Sequence, residues 1–220
     1  MASELPFVKL LELGLEFCGT YALPVKGALS EGEDVPQKKL YNRIPLTNKE
    51  RLATYLAHTE GVFGQRRFSR VLEYIEDSSA SPRETLLFLL LTLPYRYGGY
   101  GFPKPDLNAK IMPAKTAKET SSKTFFRCDL FWSELDVAVE YESDLAHLTP
   151  QQIASDSKKR NSLAAMGIMV ITVTNKQISS TVEFERVAKQ LAVNLDRRLR
   201  NNENPRFIKV RRELRSLLGV

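Results

Sequence analysis

The amino-acid sequence predicts an α/β fold in which helices flank a mixed β-sheet. From Ser81 onward, the hydrophobic patterns follow the order helix, strands, helix, strand, helix. Two short apolar strands lie at about 125–132 and 136–142, and a continuous β-branched run follows at 168–174. This alternation is typical of a layer of helices packed on a mixed sheet.

Residues 1–77 are predicted to form an N-terminal helical segment. One helical pattern begins at Thr47, where Glu50 completes the spacing of a capping box. The predicted helices cover Leu5–Phe17, Thr47–Thr59 and Gln65–Glu76, with an irregular connection over 22–46. The last two helices predict either a helical hairpin that packs on the main domain or a helix-turn-helix, and the hairpin is preferred.

The stretch Asp77–Ala80 is the predicted boundary, so residues 78–220 form the predicted α/β domain. Ser81 and Pro82 have the cap and first-turn chemistry of a helix start. That helix is apolar nearly all round to about Leu93, so we expect it to be buried. The run at 168–174 is expected to be a strand buried on both faces. The other predicted elements are a strand at 108–112, helices at 150–166 and 182–199, and a basic C-terminal helix at 207–218.

Composition and charge limit the functional classes. The chain has 220 residues, 43% of them apolar and 26% charged, with a net charge of +6. This basic balance is compatible with a polyanionic partner. Cys18 and Cys128 are too few for a disulfide framework or a zinc cluster, and no apolar run approaches the ~20 residues of a membrane span. Acidic residues near the start argue against a signal peptide, so a cytoplasmic protein without a membrane partner is predicted.

Carboxylates in the two short strands are the most informative feature. Asp129 lies inside the first strand, and Glu140 and Glu142 alternate with apolar residues in the second. Period-two alternation sends both glutamates to one face of the sheet. Three acids at one end of a hairpin repel each other, so we expect a cation among them, and a divalent cation suits oxygen ligands. The strands therefore predict a site for Mg²⁺, or Mn²⁺ in its place. A single acid such as Asp129 has an alternative explanation, because charged side chains on an edge strand prevent aggregation.

Charged residues near these strands would complete a hydrolytic site. Lys159 on the following helix is a candidate for stabilising the developing negative charge, with Asp156 on the same helix. His147 precedes that helix and is a candidate proton shuttle. Glu84 has the spacing of a helix cap, which alone would explain it, or it reaches the site from its helix. The charges at 156–160 also fit an ordinary solvated helix face.

Basic residues offer a surface for a phosphate backbone. Two of them flank Lys159, and the chain after Arg186 is rich in lysine and arginine. This pattern predicts either salt-dependent contacts with nucleic acid or a solvated basic helix. The predicted nucleic-acid-binding residues are Lys158, Arg160, Arg197, Arg198, Arg200, Lys209, Arg211 and Arg212.

Over more than half of the chain, from Ser81 to Leu199, the sequence resembles the restriction-endonuclease-like superfamily, PD-(D/E)xK. Within it, the sequence is similar to the very-short-patch-repair-like branch of bacterial proteins. The resemblance is carried by Asp129-Leu130-Phe131-Trp132, by Glu140-Tyr141-Glu142-Ser143 with His147, and by the strand end Val173-Thr174. The other matching positions are Glu84, Asp156, Lys159, Arg160, Leu163 and Gly167. Glu142-Ser143 replaces the Asp-Gly usual in these relatives, and the lysine of an E-x-K motif is missing.

The resemblance implies a restriction-endonuclease-like fold and a metal-dependent endonuclease that hydrolyses DNA phosphodiesters. Cutting both strands usually calls for two active sites, which a homodimer would supply, and no small-molecule cofactor is predicted. The superfamily also contains inactive members. The alternative is therefore a catalytically inactive DNA-binding regulator or antitoxin-like protein, with residues 1–77 as its regulatory segment. A third reading is a nuclease that is active only with a partner protein.

Overall fold

The computed structural model describes residues 5–23, 40–113, 124–142, 149–200 and 204–220. The chain divides into two compact units, the first extending to Thr85 and the second beginning at Leu86. This division falls inside a helix, α4 (Pro82–Thr92), whereas the sequence placed the boundary in the loop before it. Among the described residues, no helix combines the length and the apolar character that a membrane crossing requires.

Helices with a shared apolar core make up most of the first unit. Helix α1 (Phe7–Cys18) and helix α2 (Lys49–Ala57) both pack against α3 (Gln65–Leu72). Leu11 and Val71 are fully buried in this unit. The helical character predicted for this part of the chain is therefore present in the described residues.

Two local predictions for this unit are wrong. The cap of α2 is Asn48 and not Thr47, because the Asn48 side chain accepts the backbone N–H of Arg51 at 2.8 Å. Part of the connection predicted to be irregular forms a short antiparallel pair, β1 (Tyr21–Ala22) with β2 (Leu40–Tyr41). Two residues per strand leave almost no alternation in the sequence from which a strand is recognised.

A four-stranded mixed sheet forms the centre of the second unit, which confirms the predicted α/β class. Its strands lie in chain order: β3 (Asp106–Ile111), β4 (Phe126–Trp132), β5 (Val137–Glu142) and β6 (Met169–Thr174). The first three strands are antiparallel neighbours, and β5 and β6 are parallel. Helix α5 (Pro150–Ala165) connects the parallel pair, because parallel strands need a crossover rather than a tight turn.

Helix α5 packs on one face of the sheet through Leu163, which is fully buried. Ala138 of β5 and Phe131 of β4 belong to the same apolar cluster, and they are paired across the two strands. On the other face of the sheet, Ile171 and Val173 of β6 are buried. Helix α7 (Thr181–Asn194) contacts this strand. Helices α6 (Asn175–Ser179) and α8 (Pro205–Leu218) and a 3₁₀ helix (Tyr95–Tyr97) complete the described elements of this unit.

Strand β6 is buried on one face, not on both as predicted. Val170 and Thr172 on one face are half-buried, whereas Ile171 and Val173 on the other face are buried. The strand lies at the edge of the described sheet, and its second face lines a cavity beside α5. A run of β-branched residues looks the same in the sequence whether one or both faces are covered.

Helix α7 ends at Asn194 and does not continue to Leu199 as predicted. Asp196 adopts a left-handed conformation with a φ of +49°, and the N–H of Arg197 donates to the carbonyl of Ala192 at 2.8 Å. This bond closes the helix end in the manner of a Schellman turn. The basic stretch up to Arg200 therefore follows as irregular chain.

Candidate functional site

The face of β5 that lies against α5 carries both predicted glutamates. Glu140 is paired with Thr172 of β6, and Glu142 is paired with Thr174. Paired residues of neighbouring strands point to the same face, so this face is polar at the C-terminal end of β5 and apolar at Ala138. The alternation predicted for the two glutamates is thus the observed one.

A cavity of about 110 Å³ lies between this polar face and helix α5. We call it the carboxylate cavity. It brings together the predicted residues of β5 with those of α5, and it adds Thr172, which the sequence did not single out. Its described lining residues are Glu140, Tyr141, Glu142, Asp156, Lys159, Arg160, Leu163, Val170 and Thr172.

An ion pair with Lys159 holds one oxygen of Glu140. Nζ of Lys159 lies 2.5 Å from Oε2, and the two side chains are 21% and 18% exposed. The other oxygen, Oε1, is buried and has no hydrogen-bond partner among the described residues. A buried carboxylate oxygen without a donor is costly, so this atom is suited to accept a further cation or donor.

Arg160 approaches Glu142 more loosely. Its Nη1 atom lies 3.9 Å from Oε2 of Glu142, and the Arg160 side chain is nearly half exposed. Asp156 lines the same cavity one helical turn before Arg160. The cationic charge expected among the strand acids is therefore present in part as side chains of α5.

Asp129 lies where strands β4 and β5 stop pairing. The ladder ends at Leu130 with Val139, and beyond it Oδ2 of Asp129 accepts the backbone N–H of Tyr141 at 2.8 Å. The carboxylate thus takes the place of a backbone carbonyl of β4. This bond fixes Asp129 beside Tyr141, a residue that lines the carboxylate cavity.

Cys128 is a neighbour of the site that the sequence analysis considered only for disulfide and zinc chemistry. Its side chain is fully buried in the apolar cluster under α5. Burial, and secondarily the negative charge of Glu140, raises the pKa of this thiol to about 12. The group is therefore a neutral packing residue at neutral pH and not a nucleophile.

The fit of a divalent cation can be judged from the donors present. Within the described residues, no three His, Cys, Asp or Glu side chains are grouped closely enough to hold a metal ion. Asp129, Glu140 and Glu142 therefore do not form one three-carboxylate set in this conformation. Mg²⁺, however, is commonly held by one or two carboxylates, with waters and substrate phosphates as its other ligands. Asp129 and the unpartnered oxygen of Glu140, on adjacent strands, fit that smaller donor set.

Besides Asp129, two predicted catalytic residues are not among the described lining residues of this cavity. Glu84 belongs to the first unit, where its Oε2 accepts the N–H of Ala80 and its own N–H donates to Ser81. The Ser81 contact is the one that a capping box predicts, whereas the carboxylate accepts the N–H of Ala80 and not that of Ser81. His147 lies outside the described residues.

Most of the predicted nucleic-acid-binding residues are exposed, and Arg211 is the exception. Its guanidinium lies 4.1 Å from the ring centroids of both Tyr100 and Phe207, and the residue is only 6% exposed. Burial lowers the pKa of Arg211. This position argues against the predicted phosphate contact and makes Arg211 a packing residue. The exposed members of the set are Lys158, Arg160, Arg197, Arg198, Arg200, Lys209 and Arg212.

Comparisons with protein-family models, with curated proteins and with solved structures give no match for this chain.

Proposed function

We propose that this protein is a metal-dependent DNA endonuclease with a restriction-endonuclease-like arrangement of its sheet. One observation carries the proposal: Glu140 contacts Lys159 through one oxygen and keeps the other buried and without a described partner, beside Asp129 on the next strand. An anionic donor pair next to a lysine is the combination that phosphodiester hydrolysis requires.

The proposal divides the chemistry among a few charged residues of the site. Asp129 and Glu140 would hold Mg²⁺ or Mn²⁺, which would supply polarisation of the scissile phosphate and a lower pKa for bound water. Lys159 orients the Glu140 carboxylate and stabilises negative charge at the phosphate. Glu142 accepts a proton from water or serves as a further ligand, and Asp156 lies on the same wall of the cavity. His147 retains the supporting role predicted from the sequence, and Glu84 is a helix-cap residue in this proposal.

Contacts with DNA would come mainly from exposed basic residues. Lys158 is exposed on α5, the helix that also carries Lys159. Such contacts give affinity that falls steeply with salt and depends little on base sequence. The net charge of +6 favours association with a polyanion in the same way.

A second function, a DNA-binding regulator without hydrolytic activity, is favoured by the same ion pairs. Lys159 and Arg160 already compensate Glu140 and Glu142, so these charges also make sense as a polar layer between helix and sheet. In that case Oε1 of Glu140 accepts a hydrogen bond from a buried water.

Plasmid nicking and linearisation with Mg²⁺ or Mn²⁺ separates the two functions. The wild type is compared with Asp129→Ala and Glu140→Ala, and with Glu134→Ala as a control acid that lies exposed in the turn between the same strands. We expect metal-dependent cutting that both site variants lose and the control keeps. Thermal unfolding of each variant verifies that it is folded.

A wild type that shifts DNA in a gel but cuts under neither metal supports the regulator and overturns the enzyme. Cutting that survives in Asp129→Ala would show that the hydrolysis arises elsewhere. Repeating the assay with candidate partner proteins tests the nuclease that depends on a partner.

A further inference from the structure

A second and larger cavity opens in the same unit, away from the carboxylates. Its volume is about 700 Å³, within the ~300–1,000 Å³ typical of small-ligand sites. Phe102 and Pro103 line it, and the carbonyl of Pro103 accepts the indole N–H of Trp132. Trp132 is the last residue of β4, about 10 Å along the strand from Asp129 at ~3.3 Å per residue. We call this space the arginine cavity.

Arginine side chains dominate its charge. Arg96, Arg197, Arg198 and Arg200 line it, and no acidic residue is among its described lining. Within the described residues, no ion pair joins Arg197, Arg198 or Arg200 to a carboxylate. Like charges gathered in a concave surface repel each other and concentrate anions from solution.

The end of helix α7 explains why these arginines share one cavity. Neighbouring residues on a helix point in different directions, and residues three or four apart share a face. Because the left-handed Asp196 ends α7 early, the residues after it leave the helix, and Arg197 and Arg198 both reach the cavity. This arrangement depends on the turn and is not visible in the sequence pattern.

Tyr95 fixes the far end of the basic segment. Its hydroxyl accepts the backbone N–H of Arg200 at 3.0 Å, and the Arg200 guanidinium lies 5.1 Å from its ring centroid. The Tyr95 ring also packs on Phe207 of α8, with centroids 4.9 Å apart. Arg200 is therefore held in place by a packed aromatic residue at the wall of the arginine cavity.

We propose that the arginine cavity binds a nucleoside phosphate, either a free nucleotide or the phosphorylated end of a nucleic-acid strand. The phosphate group lies against Arg198 and Arg200, whose planar guanidinium groups bind phosphate oxygens in pairs. The base and sugar lie along the apolar wall of Pro94, Phe102 and Pro103.

Charge matching favours a terminal phosphate over an internal one. An internal phosphodiester carries a single negative charge, whereas a phosphomonoester carries about −1.5 to −2 and a triphosphate carries more. A cavity lined by four arginines compensates the larger charge better. This proposal does not depend on the carboxylate cavity or on hydrolysis.

Calorimetric titration of the full chain in the presence of EDTA tests the proposal, because EDTA removes any contribution from a metal site. The probes are deoxyadenosine triphosphate, deoxyadenosine, and one short oligonucleotide with either a 5′-phosphate or a 5′-hydroxyl. The variant Arg198→Gln/Arg200→Gln is compared with Arg206→Gln, an exposed arginine that does not line the cavity.

We expect a phosphorylated probe to bind saturably and at least about tenfold more tightly than its unphosphorylated counterpart. The double variant should lose about tenfold or more, and Arg206→Gln should bind like the wild type. Tight binding of the triphosphate identifies a free nucleotide, and preference confined to the 5′-phosphorylated strand identifies a strand end. Equal binding of phosphorylated and unphosphorylated probes, or full binding by the double variant, overturns the proposal.

Discussion

Nζ of Lys159 lies 2.5 Å from Oε2 of Glu140, so a helix side chain compensates a carboxylate on an inner strand of the sheet. The two residues are brought together because α5 crosses from β5 to β6 over the face on which Glu140 lies. The pair links the packing of α5 to the chemistry proposed for the site.

Removing the lysine should destabilise the fold. Lys159→Ala leaves a largely buried carboxylate without its charged donor, and we expect a loss of about 2 kcal/mol in the free energy of unfolding. Urea denaturation measures this change. Lys158→Ala is the matched control on the exposed side of α5, and it should stay within about 0.5 kcal/mol of the wild type. Equal losses in the two variants would contradict a specific pair.

The apolar half of α5 should depend on Leu163. Leu163→Ala removes a fully buried side chain from the cluster with Phe131 and Ala138, and we expect a loss of about 2–5 kcal/mol. Ile153 on the same helix is 48% exposed, so Ile153→Ala controls for helix propensity. Urea unfolding of both variants tests this, and a Leu163→Ala protein as stable as the control would refute the packing described for α5.

Gly98 should be the more sensitive of two left-handed glycines. Its φ is +91°, and a Cβ would lie 2.6 Å from the carbonyl oxygen of Val210 and 2.8 Å from Cα of Arg211. Gly98→Ala should therefore cost at least about 2 kcal/mol, from strain and from overlap with α8. Gly167 has a φ of +82° with nothing within 4 Å, so Gly167→Ala should cost only about 1 kcal/mol. Thermal unfolding of the two variants compares them, and a reversed order would count against this packing.

Cys128 should be unreactive in the folded protein. With a pKa raised to about 12, its thiolate fraction at pH 8 is about a thousandfold below that of an unfolded thiol. In the Cys18→Ala variant, iodoacetamide should label Cys128 quickly in urea and very slowly without it. Mass spectrometry follows the labelling, and folded-state labelling within about tenfold of the unfolded rate would show that the thiol is accessible.

Alkaline pH should destabilise the protein through both cysteines. Burial raises the pKa of Cys18 and of Cys128 from 9.0 to about 12. Above pH 9 the unfolded chain releases protons that the folded chain retains, so stability falls between about pH 9 and about pH 12, by up to ~1.4 kcal/mol per pH unit for each thiol. Unfolding measured against pH should fall less steeply for Cys18→Ala/Cys128→Ala. The same slope for wild type and variant would rule out this linkage.

Prediction succeeded where local chemistry is decisive. The strands at β4 and β5, the shared face of Glu140 and Glu142, and the cap that Ser81 provides for Glu84 follow from alternation and spacing over a few residues. Helix α4 is buried along its apolar run, as its nearly uniform hydrophobic surface predicts. These features require no knowledge of distant partners.

Prediction failed where a distant element decides the outcome. Arg211 looks like any other arginine of a basic helix, and only the aromatic neighbours Tyr100 and Phe207 reveal its burial. The open face of β6 depends on its place at the sheet edge. The early end of α7 depends on a left-handed Asp196, a residue that also suits a helix surface.

The α/β class, the strand acids and a lysine close after them can be read from the sequence, because periodicity and charge are local properties of a chain. The tertiary structure alone decided which acid meets which cation. The crossover places Lys159 on Glu140 and leaves Oε1 of that residue without a described partner. It also gathers Arg96 with arginines a hundred residues later around one cavity. Such long-range contacts depend on how the chain folds back on itself, so they cannot be predicted from the pattern within one segment.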